Sequence, residues 1–170
     1  MTKFLEINGK NLKEFHTIEY DTTLNSSIAG FCPNLKKLHV VFMRDDIGIF
    51  RDIFSSCQYL ERIKVMCGKK YLSEKEVLKI VAVYSPINFY ELKILNTASY
   101  SELLPEDLEV FFINWKNRVP NKKFSLIVVK NCLYDMDANN DIMNVIEKYK
   151  NLGVIENYGN VDYDEYCGDF

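Results

Sequence analysis

The sequence predicts an α/β solenoid, with parallel strands on the concave side of an arc and helices on the convex side. Three observations predict it. Apolar residues at offsets 0, 3, 4 and 7 recur as one helix face. Each such stripe is followed by a strand-like pattern, apolar at offsets 0, 3 and 5. The pair returns at intervals of 23 to 34 residues, too regular and with strands too short for ordinary βαβ units.

The elements follow in order. Met1, Phe4, Leu5 and Asn8 form the first stripe, with a polar last member, and Leu12, Phe15 and Thr17 a weak first strand. Leu24, Ser27, Ile28 and Phe31 precede Leu35, Leu38 and Val40. Phe50, Ile53, Phe54 and Cys57 precede Leu60, Ile63 and Val65. Val77, Ile80, Val81 and Tyr84 precede Phe89, Leu92 and Ile94. Leu108, Phe111, Phe112 and Trp115 precede Lys123, Leu126 and Val128, where the run Phe124-Ser125-Leu126-Ile127-Val128-Val129 is rich in β-branched residues. Ile142, Val145, Ile146 and Tyr149 precede Leu152 and Ile155. Strand starts at 12, 35, 60, 89, 123 and 152 give intervals of 23, 25, 29, 34 and 29. The longest interval contains the polar loop Arg118-Val119-Pro120-Asn121-Lys122-Lys123. One strand and one helix cannot bury both apolar faces alone, whereas stacked copies share one core. Trp115 belongs to a stripe and is expected in that core. The expected organisation is a repeat domain of five to six units over residues 1–158, with 159–170 as an acidic tail or end cap.

Composition narrows the function. The chain has 170 residues, 48% hydrophobic and 26% charged, which suits one folded domain. A net charge of −3 offers no global basic field for nucleic acid. No apolar run approaches the ~20 residues that span a bilayer. Glu6 falls where a signal peptide would be apolar, so the expected location is the cytoplasm or nucleus. The five cysteines, Cys32, Cys57, Cys67, Cys132 and Cys167, include no CxxC pair and read as reduced, small apolar side chains. Asn25-Ser26-Ser27 matches the glycosylation pattern, by chance on this reading.

Nothing in the pattern points to catalysis. His16 and His39 lie on different strands, and no cysteine has a histidine partner in the pattern. GxGxxG, P-loop, GxSxG and HExxH motifs are missing. Glu106 and Asp107 suit a helix start favoured by the helix dipole, behind Pro105 in the first turn. No catalytic, cofactor-binding or metal-ligating residue is expected.

Two segments carry a family resemblance. Cys32-Pro33-Asn34-Leu35-Lys36-Lys37-Leu38 and Cys57-Gln58-Tyr59-Leu60-Glu61-Arg62-Ile63 resemble the cysteine-containing leucine-rich repeats of fungal-type F-box proteins. The resemblance implies a leucine-rich-repeat solenoid acting as substrate receptor of an SCF-type ubiquitin ligase. The asparagine or cysteine usual after the last strand leucine is replaced by Met43, Gly68 and Thr97, and only Asn131 conforms. No F-box is found. Leu104-Pro105-Glu106-Asp107-Leu108-Glu109-Val110-Phe111 looks slightly like the start of one, but sits inside a repeat. The SCF adaptor is therefore an expected partner only if an F-box lies outside this chain.

Alternation points to a binding surface. If Leu38 and Val40 face the core, Lys37, His39 and Val41 face the concave side, followed by Arg62, Lys64 and Met66, and then Glu91, Lys93 and Leu95. Ser125, Ile127 and Val129 continue these columns, and Glu14, His16 and Ile18 begin them. The predicted partner-binding residues are Lys37, His39, Val41, Arg62, Lys64, Met66, Lys93 and Leu95, a basic strip beside an apolar one. Few stacking aromatics are expected there, which disfavours RNA. The expected function is protein binding, with a scaffold unconnected to ubiquitin as the competing reading. The acidic, aromatic tail Val161–Phe170 is a second candidate contact.

Overall fold

The computed structural model describes residues 1–97, 101, 103–130 and 140–162. Asn131, Cys132, Cys167 and the tail from 163 onward lie outside the described residues. Six strands, β1 (Glu14–His16), β2 (Lys37–His39), β3 (Arg62–Cys67), β4 (Glu91–Asn96), β5 (Phe124–Lys130) and β6 (Ile155–Asp162), form one sheet in chain order. Every pair is parallel. Helices α1 (Thr2–Asn8), α2 (Thr22–Phe31), α3 (Ile47–Ser56), α4 (Glu74–Tyr84), α5 (Pro105–Arg118) and α6 (Asn140–Asn151) alternate with them. Because the strand order never reverses, crossovers of one hand put every connecting helix on the same face. Among the described residues, the sheet has no reversal point of the kind that opens a ligand crevice in doubly wound folds. β6 runs to Asp162, so the boundary expected at residue 158 falls inside a strand.

Local chemistry explains where the helices begin. Asp21 accepts a hydrogen bond from Leu24 N at 3.0 Å. Ser73 and Glu76 form a reciprocal capping box, in which Ser73 Oγ accepts from Glu76 N at 3.3 Å and Glu76 Oε2 from Ser73 N at 3.4 Å. Pro105 opens α5, and Asp107 Oδ2 accepts from Leu104 N at 3.3 Å, so the stretch 104–111 is an ordinary helix start and β5 follows that helix.

The helix stripes meet the inward strand residues in one core. Leu38, Ile63, Leu92 and Leu126 are cross-strand neighbours and all buried. An aromatic chain runs through the core from Phe42 to Phe50, Phe54, Phe89 and Phe124, with Trp115 4.6 Å from Phe124 between ring centroids. Trp115 Nε1 also donates to Lys122 O at 2.9 Å, which satisfies its polar atom at the core edge. The equivalent cysteines of neighbouring units are linked, Cys57 Sγ donating to Cys32 O at 3.2 Å. Burial pushes the Cys32 thiol up to about 11 and, with Cys32 nearby, the Cys57 thiol up to about 12. Asn25 is buried with its amide on Val41 O at 2.8 Å, a position closed to glycosylation in the folded chain.

Core expectations need correction at several positions, among them Met1 and Phe4 of the first stripe, which are exposed. Lys123 does not fill the first position of the fifth strand pattern. It is exposed, and Phe124 is buried there, where the β5–β6 pairing shifts by one residue. Leu152 is exposed, and Val154 and Ile155 fill the core after the αL turn at Gly153. Tyr84 is exposed because α4 presents Leu78 and Ala82 to the core alongside Val77 and Val81.

Candidate functional site

The sheet face opposite the helices is the open face. Its first column runs Glu14, Lys37, Arg62, Glu91 and Ser125 in register. The next runs His16, His39, Lys64, Lys93 and Ile127. Met66, Leu95 and Val129 form a third. The structure thus brings Lys37, Arg62, Lys64, Met66, Lys93 and Leu95 together as alternation predicts, and all six are partly exposed.

His39 and Val41 differ from expectation. His39 faces the open side but is only 3% exposed. The His16 ring stacks on it at 4.3 Å between centroids, and Lys64 is its neighbour on the other side. Burial, Lys64 and His16 together push the His39 imidazole down to about 3, so it is neutral at physiological pH. Val41 is not on the open face column at all. β2 ends at His39, and Val40, Val41 and Phe42 are buried in succession. Alternation holds only while the chain is pleated. Here the chain leaves the sheet towards the 68–71 turn, where Arg44 N donates to Lys70 O at 3.1 Å and Met43 bridges Tyr71. Val129, expected on the same apolar column, is also buried.

The basic strip is balanced by its neighbours. Lys37 Nζ lies 2.7 Å from Glu14, and Lys93 Nζ 3.7 Å from Glu91. The Lys93 side chain is only 13% exposed. Arg62 Nε donates to Tyr90 Oη at 2.5 Å, and the guanidinium carbon lies 5.1 Å from the Tyr90 ring centroid. Tyr90 was missed because it sits one residue ahead of its strand and belongs to neither periodic pattern. A partner carboxylate that engages Lys37 or Arg62 therefore competes with Glu14 and Tyr90.

Away from this face, a buried polar contact joins the end of β4 and Ser101 to α4. Glu74 accepts from Asn96 Nδ2 at 3.2 Å and from Ser101 Oγ at 2.6 Å. Its neighbours Cys67 and Tyr158 are both raised, mainly by burial and secondarily by Glu74. These bonds satisfy a carboxylate at a helix start, a structural arrangement. Among the described residues, no helix is long and apolar enough to cross a membrane.

No family model matches the chain, nor does any curated protein or solved structure.

Proposed function

We propose that this chain is a leucine-rich-repeat-type solenoid that binds an acidic segment of another protein across its open face, as a substrate-recognition module of an SCF-type ubiquitin ligase. The observation that carries the binding reading is the register that sets Lys37 beside Arg62, and Lys64 beside Lys93, on the face opposite the described helices. Folding gains little from like charges on adjacent strands, whereas a partner carboxylate that displaces Glu14 or Tyr90 engages both. Partly exposed Met66 and Leu95 add apolar area beside the charges. The ubiquitin-ligase reading rests on the repeat wording at 32–38 and 57–63. A scaffold outside ubiquitination is the competing reading. Neither needs chemistry from this chain, and the buried, raised thiols of Cys32 and Cys57 are poor nucleophiles.

The test begins with affinity purification and mass spectrometry from cells. Recovery of an SCF adaptor and cullin with the full gene product supports the ubiquitin role, and their absence favours the scaffold. Residues 1–170 alone should not retain the adaptor, and clear retention would return attention to Leu104–Phe111. For the partner found, Arg62→Glu with Lys64→Glu should weaken binding about tenfold or more, with a shallower salt dependence. Equal affinity of wild type and double variant would place binding elsewhere.

A further inference from the structure

The α1/β1 end of the sheet has a composition and a backbone geometry that the binding face does not explain. Among the described residues, β1 pairs only with β2, so its other edge is open. Lys37 N donates to Lys13 O at 3.0 Å and Thr17 N to His39 O at 2.8 Å, so residues 13 and 17 turn their main-chain groups towards β2. By alternation, Glu14 and His16 turn theirs to the open edge. The helix above is apolar on the matching side. Gly9 abuts α2 so closely that a Cβ there would meet Phe31 O at 2.5 Å, which fixes the side of α1 facing α2. Phe4 and Ile7 lie around the helix on the other side, Phe4 50% and Ile7 73% exposed.

We propose that this end is a two-fold interface between two copies of the chain, made by antiparallel pairing of β1 with its counterpart about an axis through Phe15. In that register Glu14 lies opposite His16 of the second copy, and the two residues whose main-chain groups face the edge exchange both hydrogen bonds. Both side chains are on the open face, so each Glu14 carboxylate can accept from the imidazole of the other copy. The alternative two-fold registers oppose Glu14 to Glu14 or His16 to His16, so charge selects the one centred on Phe15. A two-fold normal to the sheet keeps both helix layers on one side, and Phe4 and Ile7 of the copies then cover each other. The contact is small, so the dimer is weak and reversible.

Sedimentation equilibrium of the wild-type chain over about 1–100 µM tests this directly. A reversible dimer is expected. Ile7→Glu places a charge in the apolar contact, and Glu14→Pro removes an N–H that faces only the open edge. Each should raise the dimer dissociation constant about tenfold or more while circular dichroism and melting stay those of wild type. Two variants at independent points keep the test decisive if one is poorly folded. A wild-type monomer at the top of that range, or a dimer indifferent to both substitutions, overturns the proposal.

Discussion

The two faces of the sheet differ in what holds them. On the helix side, Leu38, Ile63, Leu92 and Leu126 occupy equivalent positions, and each is buried at 0–1% exposure. On the open side, the equivalent row His39, Lys64, Lys93 and Ile127 mixes a buried imidazole, two ammonium groups and an aliphatic chain. Burial of apolar area, about 25 cal/mol per Å², dictates the first row. The second row is only loosely constrained by stability, which leaves it available to specify a partner.

Substitutions should separate the faces by the size of their effect. Trp115→Ala and Leu92→Ala on the helix side should cost about 2–5 kcal/mol in denaturant melts, since each leaves a cavity among buried neighbours. A loss below about 1 kcal/mol would mean the core does not depend on these contacts. His39 should give the next largest effect, and only in acid. Its folded value of about 3 lies below the usual 6.5, so the unfolded chain binds more protons between them. Stability is therefore full above 6.5 and falls as the pH drops towards 3, by about 1.4 kcal/mol per pH unit inside the window. His39→Gln should flatten that slope relative to wild type, and parallel slopes would show that His39 is hydrated. The smallest effect on stability belongs to Arg62→Glu with Lys64→Glu, about 1 kcal/mol or less at neutral pH, because both side chains are partly exposed. A much larger loss would make the open face part of what holds the fold.

The helix stripes at offsets 3, 4 and 7 placed the six α-helices of the described residues, and Phe50, Ile53, Phe54 and Cys57 are buried as the stripe requires. Strand alternation gave the register of Lys37, Arg62 and Glu91 across three strands. Both patterns are readable because each residue's side is set by local backbone geometry. The same patterns gave no warning of Tyr90 on Arg62, or of Arg118 reaching back to Ser85 O at 2.5 Å at the end of α4, because these contacts join residues 28 and 33 apart.

By itself, the sequence determined a parallel α/β arrangement of five to six helix–strand units and the direction most strand side chains face. The tertiary structure decided how deeply those side chains are covered. His39 is buried because the His16 ring lies on it, and Val41 because β2 stops after three residues and the chain turns into the core. Phe124 replaces Lys123, and Val154 with Ile155 replaces Leu152, because shifts in pairing and in the turn at Gly153 move the apolar residue to where the core is. Periodicity encodes the direction of a side chain, which is local. Coverage depends on which distant residues arrive alongside, and that is settled only when the units stack.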